Sequence, residues 1–159
     1  MSFRTILVLG HGGHGKDTFA ELLCKYKGMT SISSSKAAFG VIKPVLRKIF
    51  PDKDSEQLYE ERREHRELWR HLIGLYNTTD PSALTKLILM EHNIYVGMRS
   101  KVEFDASAHM FDTIYWIDAS ERVKTVDESM QIPYSPSCMH GISNNGTLME
   151  LEYKVRGLR

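Results

Sequence analysis

The chain has 159 residues, a near-neutral formal charge of +1 and 42% apolar residues, a length that suits one domain burying roughly 70% of its unfolded surface. No global field of one sign marks it for nucleic acid or a membrane, although a local basic groove is compatible with a neutral total. Its two cysteines lie far apart without metal-type spacing, its seven histidines form no ligand cluster, and no apolar run is long enough to span a bilayer.

These features point to a reducing, cytoplasmic setting. The opening MSFRTILVLG has too short an apolar run for a leader and ends in a glycine-rich turn, so it reads as a first strand over Thr5 to Leu9. Gly10 to Gly15 is that turn. Lys16 to Lys27 has helical spacing, with Phe19, Leu22, Leu23 and Tyr26 apolar and Cys24 a small core residue. Met29 to Ile32 is a second strand, and Ser33, Ser34 and Ser35 supply capping hydroxyls for a helix to about Phe50, bent at Pro44.

Pro51 and Asp52 break the pattern. Ser55 to Leu75 is predicted as one long, polar-rich helix with Leu58, Arg62, Trp69, Leu72 and Ile73 toward the core. Asp80-Pro81 opens a further helix. Ile94 to Gly97 is a third strand, Ser100 to Met110 a helix and Thr113 to Ile117 a fourth strand. Ala119 to Cys138, with Pro133 and Pro136, reads as a loop or short lid over residues 119–139. Ile142 to Asn145 ends a last strand, and Thr147 to Leu158 closes the chain as a helix. Strands alternating with helices predict a single α/β domain over 1–159, in three layers around a parallel sheet of about five strands.

The strongest chemical signal is Gly10-His11-Gly12-Gly13-His14-Gly15-Lys16-Asp17-Thr18. It fits G-x-x-x-x-G-K between a strand and a helix, the setting of a phosphate-binding P-loop, or Walker A motif. Glycines let backbone N–H groups turn toward phosphate, the helix N-terminus adds its positive end, and Lys16 reaches the β- and γ-phosphates. The hydroxyl after the lysine stands one place late, at Thr18, as in the G-x-x-G-x-G-K-x-T of nucleoside monophosphate kinases. The pattern implies ATP with Mg²⁺, the metal held by Thr18 and Asp17. His11 and His14 belong to the cradle, as phosphate neighbours or as fillers.

Ligands of open parallel sheets bind beyond the carboxyl ends of the strands. Candidate acceptor residues are therefore Ser34, Ser35 and Lys36 after the second strand, and Arg99 with Glu103 after the third, Glu103 to orient the guanidinium or touch substrate. Arg122, at the start of the lid, is a candidate for transition-state charge. Arg63, Arg66 and Arg70 share a helical face that is able to grip phosphates. Trp69 is core or a base-stacking ring, and Asp80 a cap or a catalytic carboxylate.

These motifs resemble those of phage deoxynucleoside monophosphate kinases and of their smaller relatives that phosphorylate 5-hydroxymethyluracil in phage DNA. The residues that carry the resemblance are GHGGHGKDT, the helix Arg66-Glu-Leu-Trp-Arg-His-Leu, Tyr95-Val-Gly-Met-Arg99 followed by Glu103, and Ser143-Asn-Asn-Gly-Thr-Leu-Met-Glu-Leu151. The resemblance implies an ATP-dependent kinase, with Asn144 and Asn145 near the donor adenine or its loop. Gly97 stands where the family often has an aspartate, and Asp17 is the available substitute. A short lid suits a bulky acceptor that covers the site itself, such as a base flipped out of DNA. The expected catalytic set is Lys16, Asp17, Arg99 and Arg122, with Asp17 then Asp80 as carboxylates for the acceptor proton. The leading acceptor is the hydroxymethyl group in DNA, and the rival is a free deoxynucleoside monophosphate. A non-catalytic nucleotide switch would show a hydroxyl directly after Lys16 and a guanine-reading motif, and neither is present. The expected protein is a monomer or homodimer without a membrane partner, cytoplasmic in the host if phage-encoded.

Overall fold

A computed structural model describes residues 4–159. Five strands, β1 (Ile6–Leu9), β2 (Ser31–Ser33), β3 (Ile94–Val96), β4 (Thr113–Asp118) and β5 (His140–Ser143), form one sheet in the order β2-β3-β1-β4-β5. Every pairing is parallel, with Leu7 opposite Tyr95 on one side and Ile114 on the other. All four residues of β1 are buried, as expected of a central strand covered on both faces.

Alternation along the strands sends side chains to two cores. One joins Ile6, Val8, Tyr115 and Ile117 to Phe19 and Leu23 of α1 (Lys16–Lys27) and to Leu151 and Val155 of α7 (Leu148–Gly157). The other joins Leu7, Leu9, Tyr95 and Trp116 to α2 (Ser34–Ile49) and α5 (Ala83–Glu91), with Ile132 and Met139 of the lid completing it. The result is the expected three-layer α/β architecture, with a coil over residues 119–139 where the short lid was predicted, and the carboxyl ends of all five strands meet at one edge.

The local signals held at several ends. Ser33 caps α2, accepting from the Lys36 N–H, and Thr147 with Glu150 forms a capping box on α7. Pro44 lies inside α2 as predicted. The predicted helix over 55–75 is instead two, α3 (Ser55–Glu60) and α4 (Arg66–Tyr76), joined by a 3₁₀ turn over Glu61–Arg63 and non-helical backbone at His65. A straight helix would hold Leu58 and Trp69 roughly 16 Å apart at 1.5 Å per residue. The break lets both pack against Ile42 and Leu46 of α2. Ser100 caps α6 (Lys101–Ser107), and Ala108–Met110 ends it as a 3₁₀ turn. Cys24 is only half-buried beside the α1 core, and Cys138 is exposed.

Candidate functional site

The glycine-rich turn leaves β1 and wraps over the start of α1 through three left-handed glycines, Gly10, Gly13 and Gly15. A Cβ on Gly10 would stand 2.5 Å from the Ile117 carbonyl oxygen, and one on Gly15 would collide with the Asn144 amide. The cradle therefore needs glycine for close approach as well as for conformation.

Lys16 is the first residue of α1 and is buried. Its Nζ donates to the His11 carbonyl at 2.8 Å. Burial first, then the nearby Arg99 guanidinium, lower its pKa to about 8. Asp17 and Asp127 only partly offset burial and the second cation, so the ammonium is stabilised further by the negative charge a polyphosphate supplies. The residues thus fit the triphosphate that the motif implies. Thr18, half-buried in the first turn of α1, and the exposed Asp17 are the groups there able to hold Mg²⁺. Among the described residues no group of three or more His, Cys, Asp or Glu has metal-binding geometry.

The loop is braced from behind. The His14 side chain is buried and its Nδ1 accepts from the Ala119 N–H at 3.0 Å, so only its backbone faces the cradle. Burial, then His11, lowers its pKa against the pull of Asp118; it is a neutral anchor between the loop and the end of β4. Asn144 is buried, donating Nδ2 to the His14 carbonyl at 2.9 Å and its N–H to the Asp118 carbonyl. Asn145 accepts the Glu121 N–H through Oδ1 and lies beside Asp118 and Ser143. Asn144 thus braces the glycine loop, and Asn145 the start of the lid. Arg122 donates Nε to the Asn144 carbonyl at 2.7 Å, and its guanidinium lies close to Gly15. That places it beside the glycine loop, at the start of the lid.

On the β3 side, Gly97 is left-handed, with Ser34 Oγ and the Lys16 stem within 4 Å of where its Cβ would stand. Ser34 donates to the Gly97 carbonyl at 3.2 Å. Ser35 bonds Tyr59 and Ser33, while Lys36 is exposed. Ser34 and Gly97 thus converge with Lys16.

Two expectations fail here. Glu103 does not reach Arg99. As the third residue of α6 it turns inward, is buried, and accepts from Tyr95 OH at 2.9 Å and Thr85 Oγ1 at 3.2 Å; burial raises its pKa. Arg63, Arg66 and Arg70 do not form one helical face, because the chain breaks between the first two. Arg63 pairs with Glu60 and Arg70 with Glu67, both exposed. Trp69 is buried beside Phe39 and Leu58, a core ring rather than a base platform. Asp80 accepts from Ser82 and pairs with Lys86, contacts that hold its carboxyl at about 2; it braces the turn before α5 and is not its cap, since Asn77 Oδ1 takes the Leu84 N–H of the first turn.

What sequence reasoning missed lies in the lid. Asp127 Oδ2 accepts the Gly12 N–H at 3.0 Å and pairs with Arg99 Nη1 at 2.5 Å, while Ser129 also bonds both. Further along, Tyr134 packs at 5.8 Å against Trp116, which meets His11 edge-on. These rings and His14 line an open cleft of about 500 Å³ between the lid and the back of the glycine loop. His11 Nδ1 is buried there without a hydrogen-bond partner. No spacing rule in the sequence announces either feature, because both depend on where the lid folds back.

The parallel sheet and the braced glycine turn define a three-layer α/β protein with a P-loop-like turn between β1 and α1. No known family model matches the chain and no curated protein is similar to it. Among solved structures it is similar to the unliganded crystal structure of a sugar kinase from Janibacter sp., at 15% identity and a TM-score of 0.47, over 95% of this chain and 91% of that one. The substrate of that kinase is not carried over to this chain.

Proposed function

We propose that the protein is an ATP-dependent phosphotransferase acting on a deoxynucleotide, with the 5-hydroxymethyl group of 5-hydroxymethyluracil in DNA as its acceptor. The carrying observation is the cradle itself: Lys16, buried and with its charge only partly offset, beside Arg99 and Arg122 on glycine-shaped backbone. Lys16 holds the β- and γ-phosphates. Thr18 and Asp17 would hold Mg²⁺, which neutralises phosphate charge. Arg99 and Arg122 stabilise charge on the transferred group, and Ser34, at the start of α2, positions the acceptor.

The lid supports a base on a polymer over a free nucleotide. It is a coil of about twenty residues, and the cavity beneath it is lined by Trp116, Tyr134, His11 and Gln131. Such a volume suits a nucleobase, with rings to stack on and the polar side chains of Ser120 and Gln131 in its lining. Asp17 is the carboxylate offered to the hydroxyl proton. The alternative acceptor, the phosphate of a free deoxynucleoside monophosphate, needs no base and would draw on the arginines alone.

A γ-labelled ATP assay offering hydroxymethyluracil-containing DNA, plain DNA and free deoxynucleoside monophosphates tests this. Label is expected on the modified DNA alone and is abolished by Lys16→Ala. Label on the free nucleotides only would replace the first acceptor with the second, and transfer surviving Lys16→Ala would remove the cradle from the mechanism.

A further inference from the structure

The lid places a carboxylate inside the phosphate cradle. Asp127 Oδ2 takes a hydrogen bond from the backbone N–H of Gly12 and an ion pair from Arg99, and Asp127 lies near enough to Lys16 to act on its charge. Oδ1 is held by the N–H and hydroxyl of Ser129, so the carboxylate is aimed and not merely nearby. The side chain is 15% exposed. A backbone amide and a guanidinium on one anionic oxygen, with the Lys16 ammonium near enough to feel its charge, are donors of the kind a phosphate oxygen takes.

We propose that Asp127 is a built-in phosphate surrogate: it occupies the subsite of the nucleotide's terminal phosphate, so that nucleotide must displace it and in doing so frees Arg99 for the transferred group. This rests on the phosphotransferase reading and deepens it. Burial pulls the Asp127 carboxyl upward, but Ser129, Arg99 and the Gly12 amide hold it below its usual range. The surrogate is therefore anionic at neutral pH and competes as a charge. A polyphosphate outbids it by bringing more negative charge to Lys16 as well. The latch carries a cost for ligand: if only a fraction of the protein has the cradle open, the apparent Kd rises by the inverse of that fraction.

The test is equilibrium binding of ATP and of inorganic tripolyphosphate to the full chain, for the wild type, Asp127→Asn, Ser129→Ala, Glu128→Gln and Lys16→Ala. Asp127→Asn is expected to tighten both ligands by about tenfold, a latch of about 1.4 kcal/mol. Ser129→Ala removes an aiming hydroxyl without changing charge and tightens binding less. Glu128→Gln, an exposed neighbour with the same change of charge, leaves affinity within about twofold, since exposed charges are screened. Lys16-dependent binding that Asp127→Asn and Ser129→Ala leave unchanged or weaken would overturn the latch alone. So would an equal gain from Glu128→Gln, which would reduce the effect to net charge. Binding that is absent in the wild type, or indifferent to Lys16→Ala, would overturn the phosphotransferase reading and the latch together.

Discussion

Lys16 is where burial and charge meet most sharply. Its pKa of about 8, below the usual lysine value of 10.5, comes first from burial and then from Arg99, with Asp17 and Asp127 opposing. A bound polyphosphate favours the charged form and raises that pKa again. Above about pH 8, binding must therefore take up a proton, and ATP affinity falls as pH rises. Calorimetry in two buffers of different ionisation enthalpy, just above that pH, should show the uptake, and Lys16→Arg should abolish it because a guanidinium stays charged. No uptake in the wild type would mean the ammonium is already fully charged when free. Glu103 teaches the opposite lesson. Its carboxyl looked functional beside Arg99 in sequence, yet the Ser100 cap sets the phase of α6 and turns residue 103 into the core.

At the scale of elements, β1, the glycine turn and α1 were legible because their information is local. A β-branched run, glycines at left-handed positions and a 3.6-residue apolar stripe each act within a few residues. Gly10→Ala is expected to remove nucleotide binding, since its Cβ would meet the Ile117 carbonyl oxygen, a backbone atom that cannot step aside. A circular dichroism spectrum like the wild type's, with ATP binding lost, is the expected reading, and retained binding would contradict it. Thr147→Ala should cost about 1 kcal/mol by loss of the α7 capping box. Trp69→Ala should cost about 3–5 kcal/mol if the ring is core. Denaturant unfolding measures both, and a Trp69→Ala loss below about 1 kcal/mol would return that ring to the site. The break between α3 and α4 was not legible, because helix periodicity runs through it and only docking on α2 bends the chain.

At the scale of the whole molecule, the lid decides what the cradle can accept. It closes over β4, buries Ile132 and Met139 in the sheet's second core, and leaves Tyr134 46% exposed at the mouth of the cavity. Base stacking on an aromatic side chain is worth about 1–3 kcal/mol. Tyr134→Ala should therefore raise the KM for modified DNA by about 5- to 150-fold, with kcat and the KM for ATP held. A fall in kcat without a change in acceptor KM would take the base out of this cavity. Among the described residues no helix is long and apolar enough to cross a membrane.

The sequence by itself determined the parallel α/β architecture, the glycine loop, the position of its lysine and the caps of α2 and α7. Each depends on residues close together in the chain. Only the tertiary structure decided that Asp127 reaches Gly12 across 115 residues, that Glu103 faces Tyr95, and that Trp116, Tyr134 and His11 share one cavity. Those contacts are set by how the lid and helices dock on the sheet, which summed burial fixes and local pattern does not.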